Sequence, residues 1–149
     1  MRRVDRKISD SEAGAILESA EYGVLSTAMD NEPYGIPVNF TCENGCIYIH
    51  CAIEGRKLDF IANNNDVSFC AVGATELLPS EFATKYESVV VSGVASIVDD
   101  EEKTIGLKSL VRKYSPEHME RGLQYIEKLF DQTCVIKITP MSITGKARR

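Results

Sequence analysis

The sequence predicts a mainly β fold with inserted helices (α+β), in which six antiparallel strands close toward a barrel. Two observations lead to this prediction. Apolar and polar residues alternate over several short segments that are joined by tight turns, which is the periodicity of strands. Strands and helices do not alternate regularly, so a doubly wound parallel sheet is not expected. A chain of 149 residues can bury one core, and we expect a single domain over residues 1–149.

The composition narrows the classes of function. The net charge is -5 and the sequence pI is about 5.1, whereas a nucleic-acid-binding protein needs a basic surface. No apolar run is long enough to span a bilayer, and the charged N-terminus does not resemble a secretory signal. The five cysteines are an odd number and lie in strand-like segments. We therefore expect a cytoplasmic protein with reduced thiols, no nucleic-acid partner and no membrane partner.

The first half of the chain begins with a helix and continues with strands. Ser9 and Glu12 have the spacing of a capping box, which predicts a helix to about Ser19. The Asn44-Gly45 pair predicts a tight hairpin turn. Alternation predicts three strands in a meander, at 22–29, at 34–42 and from residue 47, with a turn at 30–33 after the first. A helix is predicted to follow at 56–63.

The second half alternates between strand and helix patterns. Residues 75–87 are predicted to be a long loop of possible functional use. Residues 107, 110, 111 and 114 form an apolar helical stripe, and Pro116 ends that helix. The other predicted elements are strands at 67–74, 88–98 and 134–139, a second helix around 119–130, and a short tail that contains Lys146.

The most informative segment is Gly55-Arg56-Lys57, where a strand leads into a helix. A helix N-terminus has unpaired amides and a partial positive charge, so basic residues there are unfavourable unless an anion offsets them. Gly55 allows the backbone to approach a ligand closely. A phosphate is the anion that this arrangement suits best. The alternative is that Arg56 and Lys57 are simply solvated.

Other chemistries find less support in the sequence. There is no Walker loop and no G-x-G-x-x-G segment. Cys42, Cys46 and His50 are close in sequence, but a structural zinc site needs four ligands, usually in two separated pairs, so we expect no metal site. No Ser-His-Asp set or carboxylate pair stands out. His118 is expected at the surface.

Several segments together resemble the FMN-binding split-barrel superfamily, which includes pyridoxamine 5'-phosphate oxidase. The similar branch is that of the Nim-type 5-nitroimidazole resistance proteins. The matching segments, in family order, are EYGVLST, PYGIPVNF, IYIHCAIEGRKLDFIANN, YESVVVSGVA and ITGKARR. The resemblance implies a six-stranded split β-barrel of the FMN-binding type that forms a homodimer, with FMN at the subunit interface.

The resemblance also implies roles for particular residues. Arg56 and Lys57 would bind the FMN phosphate, and His50 and Cys51 would contact its phosphate and ribose. The main chain of Ile36, Pro37, Val38 and Asn39 would meet the isoalloxazine edge. The family motif begins at Tyr86, and Ser88 stands where the oxidases use an amide side chain. Lys146 either approaches the flavin or belongs to a disordered basic end.

The predicted function is that of an FMN-binding flavoprotein that passes electrons from NAD(P)H or another reductase to a small-molecule acceptor, for which nitroimidazole reduction is one possibility. His50 is the candidate catalytic residue, as a proton donor or as an orienting group, and its alternative is a partly buried, hydrogen-bonded histidine. The rival function is a non-enzymatic flavin- or haem-binding sensor or carrier on the same barrel.

Overall fold

The structure is a computed structural model that describes residues 2–149. Its centre is a seven-stranded antiparallel sheet with the strand order β2-β1-β5-β6-β7-β4-β3. The strands are β1 (Gly23–Met29), β2 (Glu32–Val38), β3 (Thr41–Glu43), β4 (Cys46–Ala52), β5 (Asp66–Leu78), β6 (Ala83–Val98) and β7 (Thr133–Arg148). The helices are α1 (Asp10–Ser19), α2 (Arg56–Asn63), α3 (Asp100–Tyr114) and α4 (Met119–Leu129).

The predicted fold class is confirmed, but the count of six strands and the meander are wrong. The segment predicted as one strand at 34–42 is interrupted at Asn39 and Phe40, so that it forms β2 and β3. The Phe40 side chain is fully buried, and its amide donates a hydrogen bond to the Tyr114 hydroxyl of α3 (3.0 Å). This long-range contact turns the chain, so β2 pairs with β1 while β4 pairs with β3 and β7. Within residues 2–149, β2 and β3 do not pair with each other, and the barrel remains open.

The predicted loop at 75–87 is also wrong, because these residues extend β5 and β6 into a hairpin arm. Thr75 lies opposite Tyr86, and Glu76 opposite Lys85, whose ammonium is 3.2 Å from the Glu76 carboxylate. Both faces of the arm are largely exposed, so its sequence lacks the apolar alternation by which buried strands are recognised. The predicted tail is likewise ordered, since Lys146 lies in β7 opposite Ser88.

Short-range predictions are confirmed more closely. The Ser9 side chain and Glu12 form the capping box of α1, and α2 spans the predicted residues 56–63. Asn44 and Gly45 both have positive φ, as a tight hairpin turn requires. The predicted second helix of the C-terminal half corresponds to α4.

Two apolar clusters lie on opposite faces of β4. The larger cluster includes Ile47 and Ile49 of β4 together with side chains of α1 and α2. The smaller cluster packs Tyr48 of β4 against Leu107 and Leu110 of α3. The strand is therefore fixed on both sides up to the point where it leads into α2. Among residues 2–149, none of the helices has the length and apolarity needed to cross a bilayer.

Candidate functional site

The junction between β4 and α2 leaves backbone donors free. Gly55 has φ 138° and ψ 164°, a conformation that side-chain-bearing residues rarely adopt. It is the N-cap residue of α2, and no side chain caps the helix. The amides of Leu58 and Asp59 donate to the Gly55 carbonyl (2.9 and 3.2 Å). The amides before Leu58 have no partner within the helix, so this end can donate hydrogen bonds to an anion.

Three side chains contact the guanidinium of Arg56 and leave it only partly exposed. Its guanidinium forms a salt bridge with Glu32 of β2, and it lies 4.6 Å from the ring centre of Tyr34 and 5.1 Å from that of Phe60. Such stacking fixes the plane of an arginine and leaves its outer N–H groups available. The positive charge of Arg56 is partly offset by Glu32.

Lys57 differs from its neighbour because, among residues 2–149, it has no acidic partner within salt-bridge distance. The charge of its ammonium lowers the pKa of His50 and opposes the rise in the pKa of the Cys51 thiol. These effects place the Lys57 charge close to the end of β4. An uncompensated cation beside an uncapped helix N-terminus is the arrangement expected of an anion site.

His50 lies at a cavity between the sheet and the C-terminal helices. The cavity has a volume of about 210 Å³ and includes Asn39 and His50 at its polar end. His50 keeps contact with solvent, yet burial by the surrounding walls lowers its pKa, with the Lys57 charge as a second cause. The imidazole is therefore neutral at pH 7. The apolar walls include Leu107, Leu110, Tyr114, Tyr125 and Ile126.

Sequence reasoning missed the part that α3 and α4 have in this cavity. The apolar stripe of α3 was detectable from its spacing, but spacing does not distinguish a residue that packs in a core from one that lines a cavity. Tyr114 shows the difference. Its hydroxyl donates to the Glu21 carbonyl (2.8 Å) and receives the Phe40 amide hydrogen bond, which ties α3 to the chain beside Asn39.

The segment Ile36 to Asn39 lies at an edge of the sheet. Ile36 and Val38 pack against the larger cluster, whereas Pro37 and Asn39 are exposed. Because β2 pairs only with β1 among residues 2–149, one row of its backbone amides and carbonyls faces outward without a strand partner. The main-chain groups assigned to the isoalloxazine edge thus include groups that are free to bind.

Tyr86, Ser88 and Lys146 are separated from His50 along β6 and β7. Ser88 is opposite Lys146 near the start of β6, whereas Val98 at the end of β6 is opposite Val135, the neighbour of His50 across β4 and β7. Ten positions of strand correspond to a contour length of about 33 Å. The Tyr86 hydroxyl receives a hydrogen bond from Arg6 (3.4 Å). Tyr86, Ser88 and Lys146 thus form a second group that is separated from His50 along β6 and β7, whereas register links Val38 to Val89 through Gly23 and Ala71.

Cys42, Cys46 and His50 do not converge. Cys42 packs against the larger cluster and Cys46 against the smaller one, on the opposite face of the sheet. Among the residues that the structure describes, no group of three or more histidine, cysteine, aspartate or glutamate side chains is arranged to hold a metal ion. His118 is exposed.

Comparison with solved structures shows the same fold in several proteins. A candidate 5-nitroimidazole antibiotic resistance protein from Bacteroides thetaiotaomicron is 23% identical, with a TM-score of 0.77 over 95% of this chain and 86% of that chain. An FAD-binding protein from Mesorhizobium loti is 19% identical, with a TM-score of 0.70 over 97% and 98% of the two chains. An FAD- and haem-binding protein from Mycobacterium smegmatis is 16% identical, with a TM-score of 0.80 over 97% and 74%.

Sequence comparison assigns the family. A search of curated proteins found no significant match. In contrast, the sequence profile described as Pyridoxamine 5'-phosphate oxidase matches residues 9–147, which is nearly the whole chain. This match agrees with the shared fold and confirms the resemblance inferred from the sequence segments. The chain belongs to the pyridoxamine 5'-phosphate oxidase family, within the FMN-binding split-barrel superfamily.

Proposed function

We propose that this protein is a flavoprotein that binds FMN and holds the cofactor phosphate at the junction of β4 and α2. The observation that carries the proposal is the uncompensated charge of Lys57 beside the uncapped amides of α2, in a chain of this family. A phosphate would supply the negative charge that this end of the helix lacks. The whole described chain would act as one FMN-binding domain.

Arg56 and Lys57 would contribute differently to phosphate binding. Lys57 has no competing carboxylate and would form a direct charge-assisted hydrogen bond. Arg56 is oriented by Tyr34 and Phe60 but is paired with Glu32. Part of its interaction with a phosphate would therefore replace an existing ion pair, and its net contribution would be smaller.

The rest of the cofactor would lie along the edge of the sheet. The main chain of Ile36, Pro37, Val38 and Asn39 would contact the isoalloxazine edge, because β2 has unpaired backbone groups there. His50 and Cys51 would flank the ribityl chain and the phosphate at the end of β4. Both residues are already influenced by the Lys57 charge.

The second group of predicted residues would act across a homodimer interface. Tyr86, Ser88 and Lys146 lie about ten strand positions along β6 from the level of His50, and in the proposed dimer a partner would present them to the flavin. The arm formed by β5 and β6 also carries exposed apolar side chains, with Leu77 75% and Phe82 98% exposed. An exposed apolar patch of this kind is typical of a protein interface.

Oligomeric state tests this part of the proposal. Light scattering is expected to give a dimer mass for the flavin-loaded protein. Replacing Leu77 and Phe82 by serine should shift the mass toward the monomer and reduce flavin retention together. Met141, which is 76% exposed and lies in β7 at the register shift opposite Ser92 and Gly93, provides the control, and Met141→Ser should remain dimeric. A flavin-loaded monomer would contradict the dimer proposal.

The proposed activity is reduction of a small acceptor, with NAD(P)H or another reductase as the electron donor. When bound, the flavin supplies the electron-transfer chemistry, and the protein supplies binding, orientation and exclusion of water. The cavity beside His50 would receive the acceptor. Its volume of about 210 Å³ is below the roughly 300–1,000 Å³ of sites for drug-sized ligands, so it suits a small compound such as a nitroimidazole.

His50 and Asn39 would act at the polar end of that cavity. The neutral imidazole can donate a hydrogen bond from one ring nitrogen and accept one at the other. It would orient the acceptor and relay a proton to it, taking up a proton from solvent at one ring nitrogen as it donates the proton of the other. Burial and, second, the Lys57 charge lower the pKa of His50 and so favour its neutral form between transfers.

A second candidate function is a carrier or sensor that binds FAD or haem without turnover. It is favoured by the names of two solved structures with this fold, which describe FAD binding and FAD and haem binding. Both are below 20% identical to this chain. This similarity shows the fold alone, so the cofactor has to be identified by measurement. Lys57 would serve an FAD diphosphate as well as an FMN phosphate.

The first experiment is the visible spectrum of freshly purified protein, with mass analysis of the compound that heat releases. Released FMN supports the proposal, released FAD or a Soret band favours the second candidate, and a protein that binds no added FMN contradicts it. Oxidation of NADPH should then be followed with and without a nitroimidazole. Lys57→Glu should lose both the flavin and the activity, whereas Lys108→Glu, at an exposed position of α3, should keep both.

The cysteines bear on the cellular location of the protein. Five free, partly buried thiols suit a reducing compartment, and we place the protein in the cytoplasm. The proposal requires no nucleic-acid partner and no membrane partner.

A further inference from the structure

Two of the five cysteines lie directly opposite each other on neighbouring strands. Cys51 of β4 is the register partner of Cys134 of β7 in an antiparallel pair. Directly opposed residues place their side chains on the same face of a sheet, with their Cα atoms about 4.5–5.5 Å apart. This range lies within the roughly 4.4–6.8 Å that disulfides span. The backbone therefore already has a separation that a disulfide can bridge.

The other three cysteines have no such arrangement. Cys42 is opposite Ile47, Cys46 is opposite Glu43, and Cys70 is opposite Val24 and Val90. All five thiols are free and partly buried. The opposed pair is therefore distinguished by register, and the remaining thiols provide matched controls.

The surroundings of the pair connect it to the junction at α2. Burial raises the pKa of Cys51 to about 11 and also raises the pKa of Cys134. The Lys57 charge opposes the rise at both thiols without cancelling it. Each thiol also alters the pKa of the other, which agrees with their proximity. Burial of both thiols makes thiolate scarce at neutral pH, so exchange at this pair is slow.

We propose that Cys51 and Cys134 are a redox site that forms a reversible disulfide between β4 and β7 when a low-molecular-weight disulfide is the oxidant. The Cys134 thiolate attacks one sulfur of the oxidant, whose other half leaves as a thiolate. The Cys51 thiolate then attacks the Cys134 sulfur of the mixed disulfide and releases the second half. The two protein thiols are oxidised to one disulfide, the oxidant is reduced to two thiols, and the protons of the protein thiols pass to the released thiolates.

The disulfide would tie the end of β4 to the start of β7, immediately before the turn into α2. It would close the chain between residues 51 and 134, a long loop, and this constrains the unfolded state strongly. Formation of the disulfide needs no flavin, so the inference goes beyond the proposed function, although that function places Cys51 beside the cofactor. In a reducing compartment the disulfide would be transient, as cytosolic disulfides usually are.

The test uses the full chain and oxidised glutathione as the probe. After incubation, free thiols are alkylated, and peptides are mapped by mass spectrometry without reduction. We expect a peptide that links Cys51 to Cys134, loss of two of the five alkylated thiols, and reversal by dithiothreitol. We also expect Tm to rise by about 5–10 °C on oxidation. Cys70→Ser should behave in the same way, whereas Cys134→Ser should show neither the link nor the rise in Tm.

Three outcomes would overturn the proposal. These are five free thiols after prolonged oxidation, a stable mixed disulfide with glutathione at Cys51 or Cys134, and a link that involves Cys42, Cys46 or Cys70. The peptide map of the wild-type chain decides among them, so the test stands even if Cys134→Ser fails to fold.

Discussion

The junction of β4 and α2 and the distal ends of β6 and β7 both carry basic residues, but their charges are balanced differently. At the junction, Lys57 has no carboxylate partner among residues 2–149 and lies beside free helix amides. At the distal ends, Arg148 is 3.5 Å from Glu81, and Arg149 bridges Glu12 (2.7 Å) and Glu87 (3.0 Å). In the proposed function, the anion site is the place where a positive charge without a carboxylate partner lies beside free helix amides, whereas the charges of Arg148 and Arg149 are neutralised by carboxylates.

The largest expected effect is that of Lys57→Glu. This change removes a charge-assisted contact worth about 1.5–3 kcal/mol and places a negative charge beside a phosphate. The dissociation constant for FMN should rise more than about 100-fold, while the circular dichroism spectrum stays that of the folded protein. Fluorescence titration with FMN measures the affinity, with Lys108→Glu as the control. Stoichiometric flavin in purified Lys57→Glu would contradict the proposal that the junction of β4 and α2, unlike the distal ends of β6 and β7, binds the phosphate.

Arg56→Met should have a smaller effect on the same measurement. Arg56 is already paired with Glu32, so its loss removes a contact that the phosphate shares with a carboxylate. We expect the dissociation constant for FMN to rise about 5–10-fold. If Arg56→Met weakened binding more than Lys57→Glu, then stacking of Arg56 on Tyr34 and Phe60 would be the dominant determinant of the site.

Lys57→Met should raise the pKa of His50. Two causes lower this pKa, burial first and the Lys57 charge second. Removing the charge relieves only the second cause, so we expect the pKa to rise but to stay below that of an exposed histidine. An NMR titration of the imidazole in flavin-free protein measures it, with Lys108→Met as the control. An unchanged pKa would show that the Lys57 charge does not reach the end of β4.

The smallest effect is expected at the distal ends. Arg149→Met breaks two ion pairs in which the arginine is 58% exposed and the carboxylates of Glu12 and Glu87 are partly exposed, and such pairs contribute little. The dissociation constant for FMN should stay within about twofold, and Tm within about 2 °C. Calorimetry and the same fluorescence titration check both values. A loss of affinity as large as that of Lys57→Glu would show that the distal charges also belong to the anion site.

Prediction from sequence succeeded where the signal is short-range. The Asn44-Gly45 turn, the capping box of Ser9 and Glu12, and the start of α2 after Gly55 depend on neighbouring residues, and all three are present. Prediction failed at residues 75–87, whose pairing satisfies backbone hydrogen bonds without burying alternate side chains. It also failed at Asn39 and Phe40, where a hydroxyl from α3 turns the chain.

The candidate site shows the same division. The sequence was sufficient to single out Gly55, Arg56, Lys57 and His50, because residue type and position at a strand-to-helix junction carry a chemical meaning of their own. Only the folded chain assigns Arg56 to Glu32 and leaves Lys57 without a carboxylate. The packing of α3 and α4 against β4 likewise creates the cavity at His50, and strand register brings Cys51 opposite Cys134. These features join residues distant in sequence, so no local pattern encodes them.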